Sequence, residues 1–581
     1  MFSASQRLCV ASFAFFLSLC LATAGCSGSR EATESTESAG TPDSQTETAA
    51  ERCRKKLAAA IRRLDPETVA LQEDPERSIN GLNAWISSCA KDEVAAIELS
   101  EATLAMVGDS ARATAGRYTA NDGAYIRDCI VLRNLTEAIS EHSGASLEEG
   151  ETHADSNRIV AVFEWIVRHV SLISPTENRP PLALFDILLT GRGTPEDRAW
   201  IFGEALRQMQ IDAVIISSQQ EAVEGDSLNS ANWLVAVFLE TTSIVFDAAT
   251  GIPITKEQSE DATENSFLSV SDLAQHDRWK SPGVQLIAQT SAFAPRMLVL
   301  QEQLAAEDSA ILFEELTGGV SKIAPLVDRI KEAGNGLWTA EQIALWPYPE
   351  QQVIASNSVD QKQKKDVKQM MRAFQAPFER KDFAPENAEE LTTVPEELTD
   401  TERQTYVQQR LMQSFERMME SSDELFGKPS NGLLKARVSQ IQGMTDTGVI
   451  QQLQQVRIAS MQDALRIRVP QAIQEQNGYP PIMSIPFPEL IREVNQSSTG
   501  DSLYWTALCQ MDREEYGTAI ITLLNYRRQY PEGKWKYSTL INQALSLLQQ
   551  ERVQDATEIL KEADVEANPE RSRVQHLLKT L

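Results

Sequence analysis

The chain has 581 residues, with 54 Lys and Arg against 83 Asp and Glu, a formal net charge of −29. That acidity argues against sequence-independent nucleic-acid binding, which draws its affinity from basic side chains on phosphate, and it favours a well-solvated body. The length suits roughly two to four domains of ordinary size.

Residues 1–25 carry one positive charge, at Arg7, and an apolar run from Leu8 to Ala24. The run is short for a membrane span and small residues precede Cys26, the layout of an export signal. Thr23-Ala24-Gly25-Cys26 resembles a bacterial lipobox. The resemblance implies cleavage before Cys26, a diacylglycerol on its sulfur and an acylated amine. Several acyl chains anchor stably where one is marginal. Ser27 rather than Asp after the cysteine implies residence on the periplasmic side of the outer membrane. Residues 26–50 are rich in Ser, Thr, Glu and Gly without apolar periodicity. Such a stretch buries too little surface to offset its ordering entropy, so a disordered tether is expected. No second apolar stretch is long enough to span a bilayer.

Residues 51–150 read as mostly helical. Leu57, Ile61 and Leu64 suit one helix face, and Ile79, Leu82 and Trp85 another. Asp65-Pro66-Glu67 and Asp74-Pro75-Glu76 look like helix starts. With Cys9 and Cys20 in the leader and Cys26 as the anchor, Cys53, Cys89, Cys129 and Cys509 remain. None of these has C-x-x-C spacing or a histidine cluster, so no metal site and no cofactor are expected. An oxidising compartment permits disulfides, and Cys53 and Cys89 lie on neighbouring predicted helices. They are the expected pair, with buried free thiols as the alternative. A further amphipathic helix is expected over residues 155–170. His153 and His169 stand near it without a nucleophile at a recognisable spacing, so surface or packed roles are expected; Cys129 with His169 is the sharpest alternative.

The most informative stretch is 182–253. Thr194 can N-cap a helix with Pro195 in its first turn and Asp197 placed for a capping box. Ala199, Phe202, Leu206 and Met209 then recur on one face. Val214-Ile215-Ile216 reads as a buried strand. The segments 232–239 and 243–246 read as a hairpin turning at Glu240-Thr241-Thr242. Arg192, Asp197 and Arg198 are expected to cap and charge the surface, or else to line a ligand pocket. Trp200 and Trp233 are expected to be packed.

This order resembles the transglutaminase-like superfamily, a papain-like fold, with Gly191-Arg192-Gly193 leading into the helix, Trp233 on a strand and Phe246-Asp247 before Gly251. In that family a cysteine at the helix start is the nucleophile, a histidine opens the next strand, and an aspartate on the strand after it orients the imidazole. Here the cysteine position falls on Pro195 and the histidine position on Ala231; Asp247 alone matches. The resemblance therefore implies the fold with a degenerate triad. An aspartate without an imidazole to orient does not make a triad.

Residues 257–400 read as a mixed region and linker, in which Ala310 to Phe313 suits a strand and Lys362, Lys364, Lys365 and Lys368 a solvated face. Residues 401–500 read as helices, with methionines as core filler. In 501–581, Ala507 and Ala544, Ala519 and Ala556, and Leu523 and Leu560 are each 37 apart. This resembles tetratricopeptide repeats, whose usual period is about 34. Two such units do not bury a continuous core alone and are expected to stack on 401–469 or end a longer array.

The expected fold class is α+β, a transglutaminase-like core at 151–256 flanked by helical regions and C-terminal helical repeats. The expected function is a lipid-anchored, non-catalytic envelope scaffold that binds a protein or peptide through its repeats and touches the membrane only through its lipid. The alternatives are an enzyme with an unrecognised nucleophile and a binder of cell-wall ligands.

Overall fold

The computed structural model describes residues 48–66, 76–98, 116–142, 151–174, 177, 182–218, 232–239, 242–255, 267–280, 284–290, 295–306, 328–334, 338, 342–347, 370–378, short pieces between 395 and 409, 429–463, 467–468, 484–485 and 489–581. The chain divides into Met1–Ala49 and Ala50–Leu581, and the described residues belong to the second unit apart from Thr48 and Ala49. Cys26, Ala231, the turn residues Glu240 and Thr241, the segment from Ala310 to Phe313 and Lys362 to Lys368 lie outside the described residues.

Helix α1 (Ala49–Leu64) buries Leu57, Ala60 and Leu64 along one stripe. Helix α2 (Glu76–Trp85) runs through a π-turn at Ile86–Ala90 into α3 (Lys91–Ala96). Cys53 on α1 and Cys89 in the π-turn are disulfide-bonded. Both helices share a hydrophobic cluster with Tyr125, Ile126 and Cys129 of α4 (Ala120–His142).

Helix α5 (Glu151–His169) ends at a short strand β1 (Ser171–Leu172). Helix α6 (Leu184–Thr190) follows, then β2 (Arg192–Gly193), parallel to β1, and α7 (Pro195–Gln208). Strands β3 (Asp212–Ser218), β4 (Trp233–Phe238), β5 (Ser243–Asp247) and β6 (Ile252–Pro253) pair antiparallel in succession. After a one-turn helix α8 (Val270–Leu273), strand β7 (Val284–Thr290) pairs antiparallel with β3. Helix α9 (Pro295–Ala306) intervenes before β8 (Ile343–Pro347), which adds parallel to β7. The six-stranded order is β6-β5-β4-β3-β7-β8. The sheet thus extends past Pro253 through β7, whose mixed pattern hides a strand from periodicity alone. On α9, Arg296 forms a buried ion pair with Asp122, tying it to α4.

Side chains alternate across this sheet as strand geometry requires. Ile215, Val235, Val237 and Phe246 face the cluster that holds Phe163, Ile166, Phe202 and Ala205 of α5 and α7. Val214, Ile216, Leu234, Ala236 and Val245 face a second cluster with Val270, Trp279 and Trp338. Both faces are covered, so these strands read as nearly continuous apolar runs.

Helices α10 (Gly432–Ile441), α11 (Thr447–Asp463), α12 (Glu489–Asp512), α13 (Tyr516–Gln529), α14 (Lys536–Gln549), α15 (Val553–Ala563) and α16 (Arg571–Thr580) complete the chain, with each of α12 to α15 packed on its successor and α11 on α12. The 37-residue period is visible in the backbone. Glu514 and Glu551 both take left-handed φ, 60° and 61°. The amides of Glu515 and Arg552, which follow them, bond back to Gln510 and Leu547. All six repeated Ala and Leu positions are fully buried, and the four alanines among them let the helices approach. The first unit is not free-standing: Tyr504, Trp505, Ala519, Leu523 and Trp535 belong to the same cluster as Phe163, Phe202 and Phe246. The architecture is mixed and mainly helical, with a small, largely antiparallel sheet, in keeping with an α+β class. Among the described residues no helix is long and apolar enough to cross a membrane.

Candidate functional site

The candidate site lies where α7 begins. Thr194 is extended (φ −95°, ψ 169°) and its side chain accepts the Asp197 amide at 3.1 Å, while the Asp197 carboxylate accepts the Thr194 amide at 2.7 Å. The predicted capping box is therefore built. A helix start of this kind activates a thiol in nucleophilic enzymes, because its free N–H groups and dipole favour a thiolate. Here the first position is Pro195, without nucleophile or N–H, and the acidic residues of the first turn are Glu196 and Asp197.

Asp247 ends β5, buried, and serves its own turn. It accepts the Ala249 amide and the Thr250 hydroxyl, each at 2.8 Å. Burial pushes its pKa up against those hydrogen bonds. None of these partners is an imidazole, so the structure does not give Asp247 the imidazole-orienting role of a triad aspartate. Arg192 makes an ion pair with Glu177 at 2.8 Å, at the protein surface as expected. Trp200 and Trp233 are half-buried against the main cluster.

Arg198 overturns the surface expectation. It lies one turn into α7, fully buried, with Nε on the Val170 carbonyl at 2.7 Å and Nη2 on the Val167 carbonyl at 3.2 Å. These carbonyls end α5, where helix geometry leaves acceptors unpaired. Nη1 reaches the Ala248 carbonyl at 3.4 Å, and Nη2 donates to Glu570 at 3.0 Å. Glu570, just before α16, also accepts the Leu172 amide and Arg573. Burial works against its carboxylate, but Arg198 and Arg573 outweigh that and hold its pKa below the usual glutamate range.

A second buried cluster stands beside the first. His169 Nε2 is 2.9 Å from Asp512 at the end of α12, and its ring stacks on Trp165 at 3.9 Å. Arg168 pairs with the other oxygen of Asp512 at 3.0 Å. Arg437 of α10, fully buried, bonds the Leu188 and Leu189 carbonyls that end α6 and faces His169 Nδ1 at 3.5 Å. Burial, with Arg437 and Arg168 nearby, pushes the His169 pKa down to about 4 although Asp512 opposes the shift. The imidazole is therefore neutral at pH 7, and a proton on Nε2 satisfies both contacts: Nε2–H donates to Asp512 and Nδ1 accepts from Arg437. Gly191 makes this junction possible. It takes φ 66° at the C-cap of α6, and a Cβ there would lie 3.0 Å from the His169 carbonyl and 3.1 Å from both Arg437 and Trp535.

Both nitrogens of His169 are thus engaged by groups other than Cys129. Cys129 faces Arg207, and burial raises its thiol pKa; burial likewise pushes up the Cys509 thiol. These are features of packed thiols rather than of activated nucleophiles.

Sequence reasoning named Arg198 without its buried partners and missed Arg437, Asp512 and Glu570. The arginines nevertheless carried a signal. Arg198 shares a helix face with Phe202 and Ala205, and Arg437 with Leu433 and Ile441. A charge on an apolar stripe requires a buried partner. Comparison of this chain with protein-family models, with curated proteins and with solved structures finds no match.

Proposed function

We propose that this chain is a lipid-anchored cell-envelope protein that acts as a non-catalytic scaffold, with a transglutaminase-like core carrying tetratricopeptide-like helices that recruit a protein partner. The observation that carries the reading is the start of α7. Thr194, Pro195 and Asp197 form a closed cap where acyl-transfer chemistry needs a thiol, and Asp247 is consumed by its own turn. Cys26 supplies the anchor in this reading, on the strength of the preceding residues.

Deleting 502–581 would not test the partner, because it would strip Tyr504, Trp505 and Trp535 from the main core. Surface substitutions are cleaner. Ile521 on α13 is 60% exposed and Val553 on α15 is 43% exposed. Affinity capture from envelope extract with the full chain should recover a partner that Ile521→Glu with Val553→Glu loses at unchanged melting temperature. Recovery of the same proteins by both, or of none by either, sinks the scaffold reading.

A further inference from the structure

The contacts of Glu570 describe a receptacle. The Ser171 and Ile173 amides bond to Gly191 and Gly193, so β1 spends alternate amides on the loop before α7. The Leu172 amide between them bonds to Glu570 Oε1 at 3.1 Å, and Arg198 Nη2 meets the same oxygen at 3.0 Å. Arg198 is held in place by the Val167, Val170 and Ala248 carbonyls. A fixed guanidinium and a backbone N–H converging on one oxygen are what a protein uses to bind a carboxylate.

The helix that carries this group packs on the small C-terminal cluster rather than on the main core. Val574 is buried there with the partly buried Leu577 and Leu578, against residues of α13, α14 and α15, and Arg571 and Gln575 both bond Asp564 just after α15. The approach to Glu570 is a turn fixed by Asn568, whose side chain bonds the Ala563 carbonyl and the Glu570 amide. Helix α16 thus carries its N-cap carboxylate into the receptacle from a cluster separate from the main core.

We infer that Arg198 and the Leu172 amide form a carboxylate-binding site that Glu570 occupies in cis, and that the carboxylate of an acidic ligand takes the same place when α16 lifts away. The C-terminal helix is then an autoinhibitory latch. The inference does not depend on whether the repeats recruit a partner.

Acetate is the probe. In the full chain, Glu570→Ala empties the receptacle and leaves Arg198 without its counter-charge, which lowers the melting temperature by roughly 3–4 °C. Acetate restores much of that loss by binding the native state alone, while acetamide and chloride do not, and wild type gains nothing. Adding Arg198→Met to the variant abolishes the acetate response. Equal effects of acetate on wild type and variant, or none on the variant, show a purely structural ion pair and overturn the proposal. Should Glu570→Ala fail to fold, Glu570→Gln keeps the shape without the charge. Hydrogen exchange should then quicken several-fold at 171–173 and 571–580 but not at 213–216, and exchange unchanged at all three overturns the latch.

Discussion

His169 makes stability depend on pH in a way that one substitution isolates. In the unfolded chain its imidazole takes up a proton near pH 6.5, while in the native state burial among Arg168, Arg437 and Asp512 delays this to about 4. Between those values the unfolded chain binds more protons, so stability falls as pH falls and is fully retained only above 6.5. The whole shift corresponds to roughly 3 kcal/mol, and roughly 2 kcal/mol of it is lost by pH 5. Asp247 titrates the other way, since burial raises its pKa, so the total acid slope mixes several groups. Comparison with His169→Gln removes that mixture, because the amide keeps a donor for Asp512 and does not titrate. Urea unfolding at pH 7.5 and pH 5, followed by circular dichroism, should show wild type losing about 2 kcal/mol more than the variant over that interval. Parallel losses would mean that the native imidazole accepts its proton as readily as the unfolded one, and the account of the buried cluster would be wrong.

Gly191→Ala should cost about 1–2 kcal/mol from the left-handed backbone alone, and more because the new Cβ meets the His169 carbonyl, Arg437 and Trp535; urea midpoints of the two proteins measure it. Removing the Cys53–Cys89 bridge with Cys53→Ser and Cys89→Ser releases a loop closed over a sequence separation of 36, worth about 4 kcal/mol in the chain-entropy account. Faster hydrogen exchange in α1 and α2, with α14 unchanged, is the expected result. Pro195→Cys places a thiol on the helix end that Asp197 already neutralises. Its reaction with iodoacetamide should shift to lower pH, by about half a unit, when Asp197→Asn is added. Neither variant should transfer acyl groups to an amine, and turnover in either would show a base that the described geometry lacks.

What the sequence made legible is what depends on near neighbours. The cap at Thr194, the stripe along α7, the antiparallel pair β4–β5 and the repeat period all follow from residues a few positions apart, or from a fixed spacing. Strand β7 was harder to read because its partner β3 lies far back in the chain and its own alternation is weak. The charged junction was hardest: Arg198 and Glu570 are separated by 372 residues, and His169 and Asp512 by 343. No local pattern encodes which distant acid completes a buried base. Periodicity can place a charge on an apolar face, but only the fold supplies its partner.

That asymmetry bears on how the protein is organised. The carbonyl ends of α5 and α6 would be buried and unpaired without Arg198 and Arg437, and unpaired buried acceptors are costly. Capping them with guanidinium groups moves the difficulty to two buried positive charges, which need acids or polar acceptors close by. Arg198 finds its acid in Glu570, and Arg437 faces the neutral His169 that Asp512 anchors; both acids come from the repeat helices. The repeats are therefore not an appendage whose loss leaves an intact core. They supply the charges that let the helix ends be buried at all, and a variant meant to test the proposed binding surface must leave Asp512 and Glu570 in place.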